Sequence, residues 1–234
     1  QWIFILFHTI HARDPGQSTT GCLCFRSRAS RWFGRNRDFI IGQDTTSCGW
    51  DLQPTANIHD LLDALDQVEN LELLRLHYAH HAHLSREVIK RFGQLEKLIP
   101  YIVIPVQNAS DRLLKEMRRG LSSYGIRKRI DALRKVNSGM TIRTSIIVGF
   151  PGEIDEDFDE LMYFVIECEF DRLVVFAYSE EEGTHAANRL KDNVPQQVKY
   201  DRMDAIMLAQ QEISQRKNES LVGKVERVII DSHS

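Results

Sequence analysis

Cysteine is scarce in this chain. Cys22, Cys24, Cys48 and Cys168 are the four among 234 residues, and their spacings are irregular. That excludes a secreted disulfide scaffold and leaves a reducing cytoplasm as the expected compartment. Long apolar runs are also missing, and none approaches the ~20 residues of a transmembrane helix. The stretch Trp2–Phe7 is apolar but short and has no basic leader, so no signal peptide is expected there. Charge of one sign is lacking. A net charge of −3 gives no global attraction to nucleic acid. No tandem repeat or low-complexity tract is visible, and no Met opens the chain, as in a fragment.

What the chain does have is enough apolar residues for a full core, 42% hydrophobic beside 27% charged. That suits one domain, or one with a small appendage. From residue 38 onward, short apolar runs alternate with amphipathic stretches. Strands are expected at Asp38–Gly42, Leu71–Leu76, Tyr101–Val106 (broken near its end by Pro105), Thr141–Val148, Leu173–Ala177 and Val225–Ile230. Helices are expected over Ile58–Val68, after Ser85, around 110–119 with Ser110 as its cap, over 123–136, from Asp155, and over about 196–217. Five strand–helix units in a row predict an α/β fold, a parallel sheet with helices outside, either open or closed as a barrel.

Polar and glycine residues cluster just after the strands, at Gln43–Gly49, Tyr78–His83, Gln107–Ser110, Gly149–Glu153 and Tyr178–Gly183. Loops at the carboxyl ends of parallel strands are where such folds place ligands. The clearest of them is Arg143–Glu153, where a β-branched run stops at two glycines and a proline and a carboxylate follows. No Gly-Lys-Ser/Thr and no G-x-G-x-x-G is present. The Glu153 carboxylate suits a cationic or hydroxyl-bearing ligand group better than a phosphate. An ordinary strand-to-helix connection is the plainer alternative.

Charge is uneven along the chain. Basic residues dominate between Arg112 and Arg143, and acidic ones between Glu153 and Glu182, where Arg172 is the single cation. Two solvated helical faces explain this, as does a basic patch for RNA or a ribosome-associated partner. His77, His80, His81 and His83 cannot all reach one tetrahedral site from a strand, because His80 points away from the others.

With these loops in hand, the chain resembles the radical S-adenosylmethionine methylthiotransferases from about Asp38 to its end, and the RimO type most. The resemblance rests on Gln43-Asp44-Thr45-Thr46-Ser47, Arg75-Leu76-His77-Tyr78, Pro105-Val106-Gln107-Asn108-Ala109-Ser110-Asp111, Met117-Arg118-Arg119, Arg143–Glu153, Phe176–Thr184, Gln210–Ser214 and Leu221–Lys224. It implies a partial, TIM-like (β/α) barrel over 38–220, with 221–234 starting a truncated C-terminal β (TRAM) domain. Residues 1–37 are left unassigned and atypical. It also implies S-adenosylmethionine and a 4Fe–4S cluster that splits it to a 5′-deoxyadenosyl radical. The product would be a methylthio group on an aspartate of a small-subunit ribosomal protein. By position, Gln107, Ser110, Arg143, Gly149, Pro151, Gly152 and Glu153 fall on the cofactor site. Asp44, Thr45, Tyr78 and Tyr178 fall around the substrate cavity.

The chain departs from the family in places. The Cys-x3-Cys-x2-Cys that holds the radical cluster is absent, and Cys22-Leu23-Cys24 has the wrong spacing. Asn108 stands where His is usual, and Cys48 where Tyr is. The expectation is therefore a truncated or defective copy. The alternatives are a tRNA-adenosine methylthiotransferase and a catalytically dead module that binds protein or RNA through the 112–143 region.

Overall fold

The computed structural model describes residues 3–7 (backbone only), 37–42, 44–50, 55–69 and 71–225. Six strands run in chain order: β1 (Ile3–Phe7), β2 (Arg37–Gly42), β3 (Leu73–Leu76), β4 (Tyr101–Val103), β5 (Thr141–Val148) and β6 (Arg172–Ala177). Seven α-helices are described with them: α1 (Ile58–Asp66), α2 (Arg86–Gln94), α3 (Asp111–Glu116), α4 (Ser123–Val136), α5 (Asp155–Cys168), α6 (His185–Arg189) and α7 (Gln196–Glu219). All strand pairs are parallel, in the orders β1-β2-β3 and β4-β5-β6. A parallel bridge between Leu74 and Leu98 and a bond from Ala79 N–H to Val103 O (2.9 Å) join the two sheets. Parallel strands taken in chain order make a barrel wall. No pairing of β1 with β6 closes it among the described residues, so the barrel is partial.

Alternation along the strands separates two faces. On β5, Ile142, Thr144, Ile146 and Val148 are buried, while Thr141, Arg143, Ser145 and Ile147 are not. The buried set joins Leu133, Leu161, Phe164 and Val165 in one core beneath the helices. Each such aliphatic side chain contributes roughly 1.5–3 kcal/mol by leaving water. The other set faces the inside of the barrel.

The strands and helices follow the expected pattern, with differences that have local causes. β4 stops at Val103 rather than Val106, because Pro105 has no N–H to donate. Thr144 patches the gap: its hydroxyl accepts from Val106 N–H (3.3 Å) and donates to Ile104 O (2.8 Å). The chain rejoins β5 at a bridge between Gln107 and Ile146. α3 ends at Glu116, since Arg118 turns to a positive φ. Ser85 does cap α2 by accepting from Val88 N–H. Ser110 sits at the start of α3 but makes no capping bond. Ile3–Phe7, unassigned from sequence, pairs in parallel with β2. Of the strand expected at Val225–Ile230, Val225 is irregular and the rest lies outside the described residues, as do Gln43, Cys22 and Cys24.

Candidate functional site

The carboxyl ends of β4, β5 and β6 surround a cavity of about 520 Å³. Its walls include Gln107, Met117, Ser145, Ile147, Phe176 and Tyr178. Phe150 and Tyr178 meet edge-on at 5.3 Å and form an apolar corner. Among the described residues, three buried polar atoms at this site have no partner: Gln107 Oε1, Arg119 Nε and the Tyr178 hydroxyl. Gln107 also has φ +75°, held there by its own N–H on Ser145 O and its carbonyl accepting from Ile147 N–H. A non-glycine residue in that region costs of order 1–3 kcal/mol, and such strain gathers at ligand sites. Burial, followed by the nearby Glu180, Asp192 and Glu181, raises the Tyr178 pKa, so its hydroxyl keeps its proton as a donor.

The turn after β5 forms one rim, and its geometry corrects one expectation. The Glu153 carboxylate turns inward and does not line the cavity. Its side chain is fully buried and accepts from Gly149 N–H (2.8 Å), Arg202 Nη1 (2.7 Å) and Asn108 Nδ2 (3.4 Å). Burial raises its pKa against the pull of the Gly149 amide and Arg202. Glu153 is therefore the clasp of the turn. Gly149 has φ +69°, and a Cβ there would lie 2.2 Å from Lys199 Cγ. Gly152 has φ +81°, with its N–H on Asn193 Oδ1 (2.7 Å) and its carbonyl held by Arg112 Nη2 (2.8 Å). Pro151 is buried between them.

Ser110 is a second correction. Its hydroxyl is buried and donates to Asp157 Oδ1 (2.6 Å), away from the rim. Asn108, where the family usually has His, is wholly buried and caps its own loop by accepting from Ala109 and Ser110 N–H. Arg143 remains exposed on the barrel interior.

Across the barrel, the loop after β2 braces the loop after β3. Thr45 is fully buried, with its hydroxyl on His77 O (2.8 Å) and its amide on Tyr78 O (3.0 Å). Tyr78, with φ +55°, is thereby pinned with its ring about half exposed. Asp44 accepts from Thr46, from His80 N–H (3.2 Å) and from His83 Nδ1 (2.5 Å). Burial alone would raise its carboxyl, but these bonds outweigh it and hold the pKa low. Asp44 and Thr45 thus shape the mouth from within rather than lining it.

Sequence reasoning placed α7 but missed what its inner face does. Its buried face carries two cations, Lys199 and Arg202. Lys199 Nζ donates to Asp192 (2.6 Å) and to Tyr178 O (3.3 Å), with Tyr178's ring 5.1 Å away. Arg202 bridges Glu153 and Asp155. The available signal was charge at positions that share the face of Ile206, Gln210 and Ile213. The basic run is likewise committed in part. Arg112 pairs with Asp157, Arg119 with Pro105 O, Arg127 with Glu167, and Arg134 with Cys168 O and Glu169 O.

No group of three or more His, Cys, Asp or Glu side chains is poised for a metal among the described residues. Cys168 is a core thiol that burial pushes up to about 12, and Cys48 is half-buried beside the core. The described residues therefore do not fit an iron–sulfur cluster. They do fit a nucleoside-bearing ligand: an apolar cavity, an open acceptor on Gln107 and an open donor on Tyr178. Among the described residues, no helix is long and apolar enough to cross a membrane.

A family model described as the Radical SAM superfamily matches residues 30–165. Curated relatives named "Ribosomal protein uS12 methylthiotransferase RimO" match over most of this chain. That of Prosthecochloris aestuarii is 40% identical over 192 residues, 82% of this chain and 44% of its own length. That of Aquifex aeolicus is 41% identical over 194 residues, 83% of this chain and 45% of its own. The chain thus spans less than half the length of these relatives. Among solved structures, Escherichia coli coproporphyrinogen III oxidase, described as a radical SAM enzyme, has a TM-score of 0.58 at 14% identity, covering 94% of this chain and 52% of that one. Streptococcus suis SuiB bound to S-adenosylmethionine has a TM-score of 0.55 at 17% identity, covering 88% and 43%.

Proposed function

This chain belongs to the Radical SAM superfamily, and on that premise we propose that it is the core of a methylthiotransferase acting on ribosomal protein uS12. The observation that carries the reading is 40% identity over 192 residues to relatives of that name. The Gln43–Ser47 turn supports it over a tRNA-adenosine activity, whose carriers have an asparagine-rich turn there. A ribosomal partner places the protein in the cytoplasm.

S-adenosylmethionine, when bound, is this superfamily's source of a 5′-deoxyadenosyl radical. This chain's own residues do the holding. Gln107 accepts a hydrogen bond from the ligand, and Ile147, Phe150 and Phe176 cover its apolar part. Gly149–Gly152 let the backbone come close. The Glu153–Arg202 clasp keeps that bend in one shape.

Isothermal titration with S-adenosylhomocysteine tests the site. Binding is expected, and Gln107→Ala should weaken it about tenfold. No heat from the parent chain removes the reading. A second reading, a catalytically silent binding protein, draws support from the lack of a cluster ligand set among the described residues. Anaerobic reconstitution with iron and sulfide, followed by visible and paramagnetic spectra, separates the two. A colourless, silent protein that still binds adenosylhomocysteine favours the second.

A further inference from the structure

Among the described residues, two guanidinium groups stand inside the barrel without an acidic partner. Arg143 shares its strand face with Ser145 and Ile147, which line the cavity, and sits one step deeper than Ser145. Arg75, on β3, lies 3.6 Å from the centroid of the Tyr101 ring and 5.8 Å from that of Phe39. Tyr101 is in register with Thr141, so the aromatic wall and Arg143 belong to one interior face. Arg75 Nε is buried and makes no hydrogen bond. Arg172 is in register beside Arg143 on β6, and like charges placed side by side repel. His77 adds no further positive charge between them, because burial, then Arg75 and Arg143, push its pKa down to about 4 and keep it neutral.

A half-buried cation resting on ring faces has lost water without gaining a charge-assisted bond. We propose that Arg75 and Arg143 form an anion subsite beneath the cavity, which takes a side-chain carboxylate of the polypeptide substrate. The subsite deepens, and rests on, the ribosomal-protein reading above. A guanidinium fork matches a carboxylate in two-point contact, and the Tyr101 and Phe39 rings shield that contact from water. An amide in the carboxylate's place brings no charge, so the subsite separates aspartate and glutamate from asparagine and glutamine.

The test follows the Arg75 Nε–Hε resonance of the nitrogen-15-labelled chain. The probes are N-acetylaspartate N-methylamide, its asparagine counterpart and S-adenosylhomocysteine. In parallel, the Kd for isolated uS12 is measured for the parent, Arg75→Gln and Arg75→Lys. The aspartate probe is expected to shift the resonance saturably, and the asparagine probe to leave it in place. Arg75→Gln should weaken uS12 about tenfold, with partial recovery in Arg75→Lys, while adenosylhomocysteine changes by less than about twofold. That last measurement also shows that the variant has folded. A resonance indifferent to the aspartate probe overturns the subsite. So does a shift caused by adenosylhomocysteine together with lost adenosylhomocysteine affinity in Arg75→Gln, because the carboxylate then comes from the cofactor. If uS12 does not bind the parent while the aspartate probe still saturates, the uS12 reading falls and the anion subsite stands.

Discussion

Gly149 has no room for a methyl group. Its φ of +69° strains any L side chain, and the Lys199 stem occupies the space where a Cβ would go. Gly149→Ala is expected to cost roughly 2–3 kcal/mol and to weaken adenosylhomocysteine as the bend shifts. Urea unfolding beside a titration checks both effects, and an unchanged midpoint contradicts the packing described. The glycines of this turn could be read from sequence, because a β-branched run ending in Gly-Phe-Pro-Gly can do little but bend. The role of Glu153 could not. Its partner Arg202 lies 49 positions later, and only the fold reveals that the carboxylate turns inward. Ser110 misled for the same reason, since its hydroxyl is claimed by Asp157 from another helix.

At the scale of elements, β5 has the bounds that the sequence implies, Thr141–Val148, and α5 starts where it implies, at Asp155. Both carry clean periodicity and a sharp break between them. β1 and α7's buried cations were opaque, because strand pairing and charge burial are decided by distant partners. Asp157 ties α5 to α3 by accepting from Ser110, Arg112 and Ile154 N–H. Burial works to raise its pKa, but these bonds prevail and lower it below 3.8. The sign follows from linkage. The stabilisation is complete above the unfolded value and fades as pH falls through the lower folded value. Asp157→Asn should therefore cost about 1–3 kcal/mol at pH 7 and clearly less at pH 3. Denaturant midpoints at the two pH values decide it; an equal gap at both sinks the assignment.

At the scale of the whole molecule, β5 is flanked by β4 and β6 and roofed by the core helices, while Leu221–Val225 is exposed. Hydrogen exchange is expected to be slowest at Ile142–Val148 and fastest at Leu221–Val225. Rapid exchange throughout β5 would contradict a single core. That the strands run parallel was legible from alternating segments. Whether they close was not, because closure depends on how the first and last strands approach each other. The dependence of the β5 bend on Lys199 and Arg202 has a consequence in time. A chain made from its amino end finishes the bend long before α7 leaves the ribosome. Until α7 emerges and docks, the nascent protein has β4, β5 and β6 of its cradle but not the clasp that sets its shape.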